Sequence, residues 1–428
     1  MKKTTQYLLG FCLVLLTSIA KAQPAGVVGM QFMERMGTGK AGEAYFLMDS
    51  VSQKQLSPVQ LGLVWQQVEA KFGSWKSTRK QSEETIDGKD VVNMENDFQK
   101  AIVVFKIIIN DKSKVIGFRV GQVKDKEEMK EVLPAGIKEE EVTINANGGH
   151  LQGTIAMPAA TTPVPVVLII AGSGPTDRNG NSVLGVSAKP YKLLAHELAK
   201  QGIASLRYDK RDIGASTDFG KESSKVTVED YADDAARCIR FLEGDKRFSK
   251  VIVCGHSEGA LVGLLASEAA RPAGYISLCG MGQPLDKTLD MQIRQMNPSM
   301  HEDALRVIKA LKKDTVLPAV PEQLQIIFNR NNAIFIHSVF QYDPATLIKK
   351  VQMPAIIIGG NRDIQIKEED TRQIGKANPK AKLVLIDKMN HVLKEAPQDI
   401  AGNLKTYNDP ALPVVPELVI TIAAFVKQ

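Results

Sequence analysis

Two styles of apolar patterning follow one another along the chain. Between about residues 29 and 72 apolar positions recur at helical spacing: Met33 and Met36, then Ala44, Phe46, Leu47 and Met48, then Leu61, Val64, Trp65 and Val68. Ser57-Pro58 opens the last of these helices, because serine can accept from the free N–H groups of a first turn and proline has none to lose. Past Gly73 the pattern turns to strands, with Val91 and Val92, the run Ala101 to Ile109, a turn at Asn110 to Ser113, and Val115 to Val120. Helices followed by a meander predict a small α+β domain over residues 23–125. Residues 23–120 hold no histidine and no cysteine, which argues against metal or nucleophilic chemistry there.

Residues 126–140 are dense in Lys and Glu and carry Pro134 and Gly136, the composition of a solvated linker. Next, Val142 to Ala146 and Leu151 to Met157 flank Asn147-Gly148-Gly149, which predicts a hairpin with a tight turn. From Val164 onward short apolar runs alternate with helical stretches: Val166 to Ala171, Ala204 to Arg207, Val251 to Cys254, Tyr275 to Cys279, Ala355 to Ile358 and Leu383 to Ile386. This alternation predicts an α/β domain over residues 141–428, with a mostly parallel sheet covered by helices on both faces.

A length of 428 residues agrees with two domains, and 44% hydrophobic with 24% charged residues is the balance of a folded globular chain. At the N-terminus, Met1-Lys2-Lys3, an apolar run from Tyr7 to Ile19, and Ala20-Lys21-Ala22 read as a secretory signal peptide cut after Ala22. The run is shorter than the roughly 18–20 residues of a spanning helix, so no membrane span is expected after cleavage, and the mature protein is expected to be periplasmic or secreted. Cleavage removes Lys2, Lys3 and Lys21 and no acid, which takes the formal charge from +6 to +3. That is too weak a balance to argue for nucleic acid. Cys238, Cys254 and Cys279 remain, an odd number with no disulfide framework implied.

The candidate chemistry begins at Gly255-His-Ser-Glu-Gly259, between an apolar strand and an Ala/Leu-rich helix. This is the pattern of a nucleophile elbow, where a serine in strained backbone leaves room for little more than hydrogen at the flanking positions. Ser257 is the candidate nucleophile, and the N–H of Glu258, at the start of the helix, is a candidate oxyanion donor. A serine needs a base and an orienting acid, in the chain order Ser, acid, His. Asp363 ends the strand and glycine-rich turn Pro354 to Asn361-Arg362, and His391 follows the strand Leu383 to Ile386, so these are the candidate acid and base.

Other histidines fit less well: His150 and His196 precede the elbow, His301 and His337 lie in a helical insert, and His256 is expected to point away from the serine. Among acids, Asp387 lies too near His391, and Asp343 precedes Pro344 in a loop. The turn Ala171 to Gly180 offers the N–H of Ser173 as second oxyanion donor, and its spacing matches neither a phosphate loop nor a dinucleotide fingerprint. The charged stretch Arg207 to Ser216 is expected to brace these loops through ion pairs. The Glu258 side chain is expected either to meet a polar substrate group or to join that brace through Arg207 or Arg211.

Together, Gly172 to Gly180, Arg207 to Arg211 with Gly214 and Ser216, Gly255 to Gly259, Tyr342-Asp-Pro344, Asp363-Ile-Gln365 and Asn390-His391 resemble the α/β-hydrolase superfamily. More narrowly, the chain resembles exported bacterial esterases and serine aminopeptidases of the prolyl-aminopeptidase type that carry a small extra N-terminal domain. The resemblance implies the nucleophile at Ser257, the acid at Asp363, the base at His391, oxyanion donors at Ser173 and Glu258, and a cap over about 283–340. It also implies a nuclear-transport-factor-like or cystatin-like first domain without chemistry of its own. Two positions depart from the family pattern, Asp212 and Ala260, where glycine is usual.

The expected activity is cofactor-free and metal-free hydrolysis of a small ester through an acyl-enzyme. Cleavage of short peptides is the alternative, and a relict binding protein is the reading from another class.

Overall fold

The computed structural model describes residues 24–86, 89–125, 133–182, 186–220, 225–296, 298–325 and 327–428. The segment read as a signal peptide lies outside them. The chain divides into two compact units, Met1–Glu128 and Met129–Gln428.

In the first unit, helices α1 (Ala25–Gly37), α2 (Ala41–Tyr45), α3 (Ser50–Gln55) and α4 (Pro58–Phe72) precede strands β1 (Trp75–Ile86), β2 (Lys89–Phe98), β3 (Ala101–Ile109) and β4 (Val115–Asp125), an antiparallel meander in sequence order. Helix α4 starts at a capping box: Ser57 Oγ accepts from the Gln60 N–H at 3.3 Å, and Gln60 Oε1 from the Ser57 N–H at 2.8 Å. Burial alternates strictly along β3, and Phe32, Trp65, Phe98 and Phe105 join its inner face in one core. Strand β1 goes beyond the apolar positions that announced strands here. It reads WKSTRKQSEETI, too polar to show a period, and is held by its pairing with β2.

The second unit is built on an eight-stranded sheet. Its strands are β5 (Ile137–Ala146), β6 (Gly149–Pro158), β7 (Val164–Ile170), β8 (Ala204–Tyr208), β9 (Phe248–His256), β10 (Gly274–Leu278), β11 (Ala355–Gly360) and β12 (Lys382–Ile386), in the spatial order β5-β6-β8-β7-β9-β10-β11-β12. Pairings β5/β6 and β6/β8 are antiparallel and all others parallel. Strands β8, β10 and β11 are buried along their whole length, as expected where both faces are covered. Helices α5 (Pro190–Lys200) and α14 (Pro416–Val426) belong to the core on one face, and α6 (Val228–Glu243), α7 (Glu258–Ala270) and α12 (Glu368–Ala377) to that on the other. Between β10 and β11 a helical insert comprises α8 (Leu285–Met296), α9 (His301–Lys313), α10 (Ala333–Val339) and α11 (Pro344–Ile348), with a small core around Leu289, Val307, Leu311 and Phe328. Helix α13 (Ile400–Lys405) follows β12.

The linker expectation over 126–140 needs correcting at its end, because β5 already begins at Ile137. This edge strand hides in a charged stretch for a physical reason. Glu139 pairs with Arg207 and His196, Glu140 with Arg247 and Glu141 with Arg178, so its acids face partners from distant elements rather than water alone. Chain order along the sheet reverses at β7, whose neighbours are β8 and β9, so the loops leaving β7 and β9 open the crevice where sheets of this kind place ligands.

Candidate active site

Ser257 stands between the end of β9 and the start of α7 with φ 55° and ψ −122°, a backbone state that L residues rarely adopt. The glycines around it are demanded by contact. A Cβ on Gly255 would lie 2.5 Å from Ala260 Cα, and one on Gly259 2.6 Å from the Ala171 carbonyl oxygen. On the next loop, Gly172 approaches so closely that a Cβ there would stand 3.1 Å from Ser257 Cβ. Among the described residues neither the Ser173 N–H nor the Glu258 N–H has a hydrogen-bond partner, so both are open to a ligand.

At the far strand ends, His391 Nδ1 lies 2.7 Å from Asp363 Oδ2, with both side chains buried. Asp363 Oδ1 accepts the N–H groups of Gln365 and Ile366 at 2.8 and 2.9 Å, which aims the other oxygen at the imidazole. The His391 loop is pinned by Asn390, whose side chain donates to Asn403 and Thr406 and accepts from the Lys394 N–H. Beneath it, buried Lys394 donates to the Leu412 carbonyl, and burial pulls its ammonium down to about 8. Ser173, Ser257 and His391 line one cavity of about 400 Å³, with Tyr191, His256 and Leu404 also in its wall.

The rival residues have structural employment. Asp343 caps α11, Asp387 accepts from Asn361, His150 pairs with Asp218, and His301 pairs with Asp290. Asp212, one of the departures from glycine, keeps a left-handed φ of 63°.

The model of a family described as serine aminopeptidase, S33, matches residues 184–325, which include Ser257 and stop short of Asp363 and His391. That match covers about a third of the chain, and the strand order of the sheet and the serine elbow agree with it. The second unit has the α/β-hydrolase fold. Residues 30–118 match a second model, a family of unknown function designated DUF3887, so the hydrolase carries an extra N-terminal domain. Esterase EstD of Thermotoga maritima is 24% identical over 374 residues, covering 85% of this chain and 86% of its own. Lipase 3 of a Moraxella species is 24% identical over 214 residues, 45% of this chain and 66% of its own. A solved structure of Est1E from Butyrivibrio proteoclasticus with ferulic acid bound superposes with TM-score 0.44 at 17% identity, covering 67% of this chain and 100% of that one.

In the hydrolase two sequence expectations fail. His256 does not point away from the site: it lines the cavity, its ring centre 4.7 Å from that of His391. Its Nε2 donates to the His391 carbonyl oxygen at 2.8 Å, so its Nδ1, 2.8 Å from Tyr191 Oη, is the acceptor. Tyr191 Oη in turn accepts from the Gly172 N–H at 3.2 Å. One buried relay thus ties the β7 loop, the elbow and the His391 loop together. Burial, with His391 beside it, holds the His256 imidazole down at about 3, so it stays neutral.

Glu258 does not brace through Arg207 or Arg211. Arg207 bonds Glu139 and Asn179, and Arg211 holds Asp234 with two bonds of 2.8 and 2.6 Å. The cation whose charge reaches Glu258 is Lys210. Tyr191 has no sequence signature of its own, and Lys210 lies in the charged stretch Arg207 to Ser216 without anything local to single it out; only their placement next to loops fixed elsewhere in the chain makes them part of this site.

Proposed function

We propose that the hydrolase cleaves small carboxylic esters, with Ser257 as nucleophile, His391 as general base and acid, and Asp363 as the acid that orients it. The reading rests above all on the 2.7 Å bond between His391 Nδ1 and Asp363 Oδ2, in a histidine that shares a cavity wall with Ser257 in its left-handed turn. With Asp363 accepting the Nδ1 proton, Nε2 carries the free lone pair and takes the Ser257 proton as Oγ attacks the carbonyl. The oxyanion is met by the N–H groups of Ser173 and Glu258, which have no other partner among the described residues. His391 then returns the proton to the leaving alkoxide, and a water activated by the same nitrogen clears the acyl-enzyme. Esters are preferred over peptides because a relative that matches along 85% of this chain, EstD of Thermotoga maritima, is named an esterase.

A fluorophosphonate probe and two substrate panels test this. The wild type is expected to be labelled at Ser257, to lose labelling in Ser257→Ala, and to turn over p-nitrophenyl esters faster than aminoacyl anilides. Labelling that persists in Ser257→Ala would remove the nucleophile assignment, and faster anilide turnover would replace the esterase reading with a peptidase. The N-terminal segment supports export, for which the expected first residue of the mature protein by N-terminal sequencing is Gln23.

A further inference from the structure

Lys210 is a buried ammonium that the mechanism above leaves unused. It stands two residues past the end of β8, is 4% exposed, and donates from Nζ to the carbonyl oxygens of Gly172 at 2.6 Å and Gly174 at 2.8 Å. Those carbonyls flank Ser173. The Gly172 carbonyl and the Ser173 N–H belong to the same peptide group. That group is planar and trans, so its oxygen and its hydrogen point in opposite directions. An ammonium that grips the oxygen therefore turns the hydrogen to the other side, and this N–H has no partner among the described residues.

We infer that Lys210 is a positioning residue for the oxyanion hole. It clamps the glycine-flanked Ser173 peptide and polarises it so that its N–H meets the charge that develops on the substrate oxygen. The inference rests on Ser257 acting as the nucleophile. Two effects follow from the geometry. The two hydrogen bonds to the Gly172 and Gly174 carbonyls fix a loop whose glycines would otherwise leave it many conformations. A charged donor on one end of an amide also strengthens hydrogen bonding at its other end. That gain is larger for an anion than for a neutral carbonyl, so it favours the transition state over the bound substrate.

Glu258 completes the arrangement. Its N–H is the other donor, and its buried carboxylate makes no hydrogen bond among the described residues but lies in the field of Lys210. Burial pushes the Glu258 carboxyl up and the Lys210 ammonium down, and each charge opposes the shift of the other. The Tyr231 ring, its centre 5.2 Å from Nζ, covers the ammonium from another side. One buried acid and base thus link the two loops that supply the donors.

The test uses full-length Lys210→Gln, its folding checked by circular dichroism and its active sites counted by fluorophosphonate titration. The expected result is a fall in kcat per titrated site of roughly 30-fold, somewhat below the cost of deleting an oxyanion donor outright. KM should stay within about threefold, and the inhibition constant of a trifluoromethyl ketone, which forms an oxyanion on Ser257, should rise by a similar factor to the fall in kcat. A merely structural lysine would lower the number of titratable sites and leave kcat per site and ketone affinity alone, which would overturn the inference. Should Lys210→Gln fail to fold, Lys210→Arg carries the same test, since its charge is set on a different fork. Parallel losses in kcat and ketone affinity at constant KM support the clamp, and loss in neither refutes it. A wild type that the ketone does not inhibit and the probe does not label would instead sink the nucleophile assignment.

Discussion

The two units both cover a sheet with helices, yet they handle charge and backbone differently. In the first, the buried polar side chains among the described residues are Ser52 and Asn96, and of the non-glycine residues with left-handed backbone only Ser113, in a turn, belongs to it. In the second, Arg207, Lys210, Arg211, Asp234, Glu258, Asp363 and Lys394 are all buried, and Asp212, Ser257, Cys279 and Leu393 are among the residues that hold left-handed φ angles. Burying charge and straining backbone both cost stability. The first unit shows little of either among its described residues. The hydrolase unit carries both, and Ser257 with its left-handed φ and buried His391 line the same cavity.

The contrast can be broken by substitution. Ser257→Ala is expected to lower kcat about 10⁴-fold or more while leaving the unfolding midpoint close to that of the wild type. A drop of less than tenfold in steady-state turnover would mean that the strained serine is not there for catalysis. Asp234→Ala should cost about 3–5 kcal/mol in urea unfolding, because it leaves Arg211 buried without its bidentate partner. A loss under 1 kcal/mol would show that water reaches the guanidinium.

Glycine substitutions compare the units directly. Gly259→Ala would drive a methyl against the Ala171 carbonyl and should destabilise by about 3 kcal/mol. In the first unit, Gly62 lies inside α4 with its nearest neighbour, Ala41 Cβ, at 3.6 Å, so Gly62→Ala should stabilise by about 0.5–1 kcal/mol. Equal effects at the two sites would erase the distinction.

His256 gives the contrast a pH dependence. Its imidazole titrates near 3 when folded and near 6.5 when unfolded, so below about pH 6.5 the unfolded chain takes up a proton that the folded one refuses. Stability from this group is complete above pH 6.5 and falls by about 1.4 kcal/mol per pH unit between there and pH 3. Denaturation series at pH 7, 6 and 5 should show a steeper loss for the wild type than for His256→Asn, and identical slopes would contradict the buried neutral imidazole.

How much could be read beforehand varies with the residues. The apolar strands of the second unit announced themselves because a sheet covered on both faces admits almost nothing polar along strands such as β7 and β11. The elbow was legible because the crowding at Gly255 and Gly259 excludes other side chains, leaving a local pattern. Strand β1 and the first half of β5, before Val142, were not, since edge strands with polar faces carry little period, and that half of β5 is specified by salt bridges to residues far along the chain. His256 was misjudged from its neighbours in sequence, because the groups that hold it, Tyr191 and the His391 carbonyl, are 65 and 135 positions away.

By itself, then, the sequence determined the hydrolase fold and the candidate Ser257, Asp363 and His391, because burial and close approach constrain residue types locally. Only the tertiary structure decided which cation answers Glu258. Buried charges are matched across space: three cations lie within five residues, Arg207, Lys210 and Arg211, and the loops of the folded sheet give Arg207 to Glu139, Arg211 to Asp234, and Lys210 to the peptide that bears Ser173.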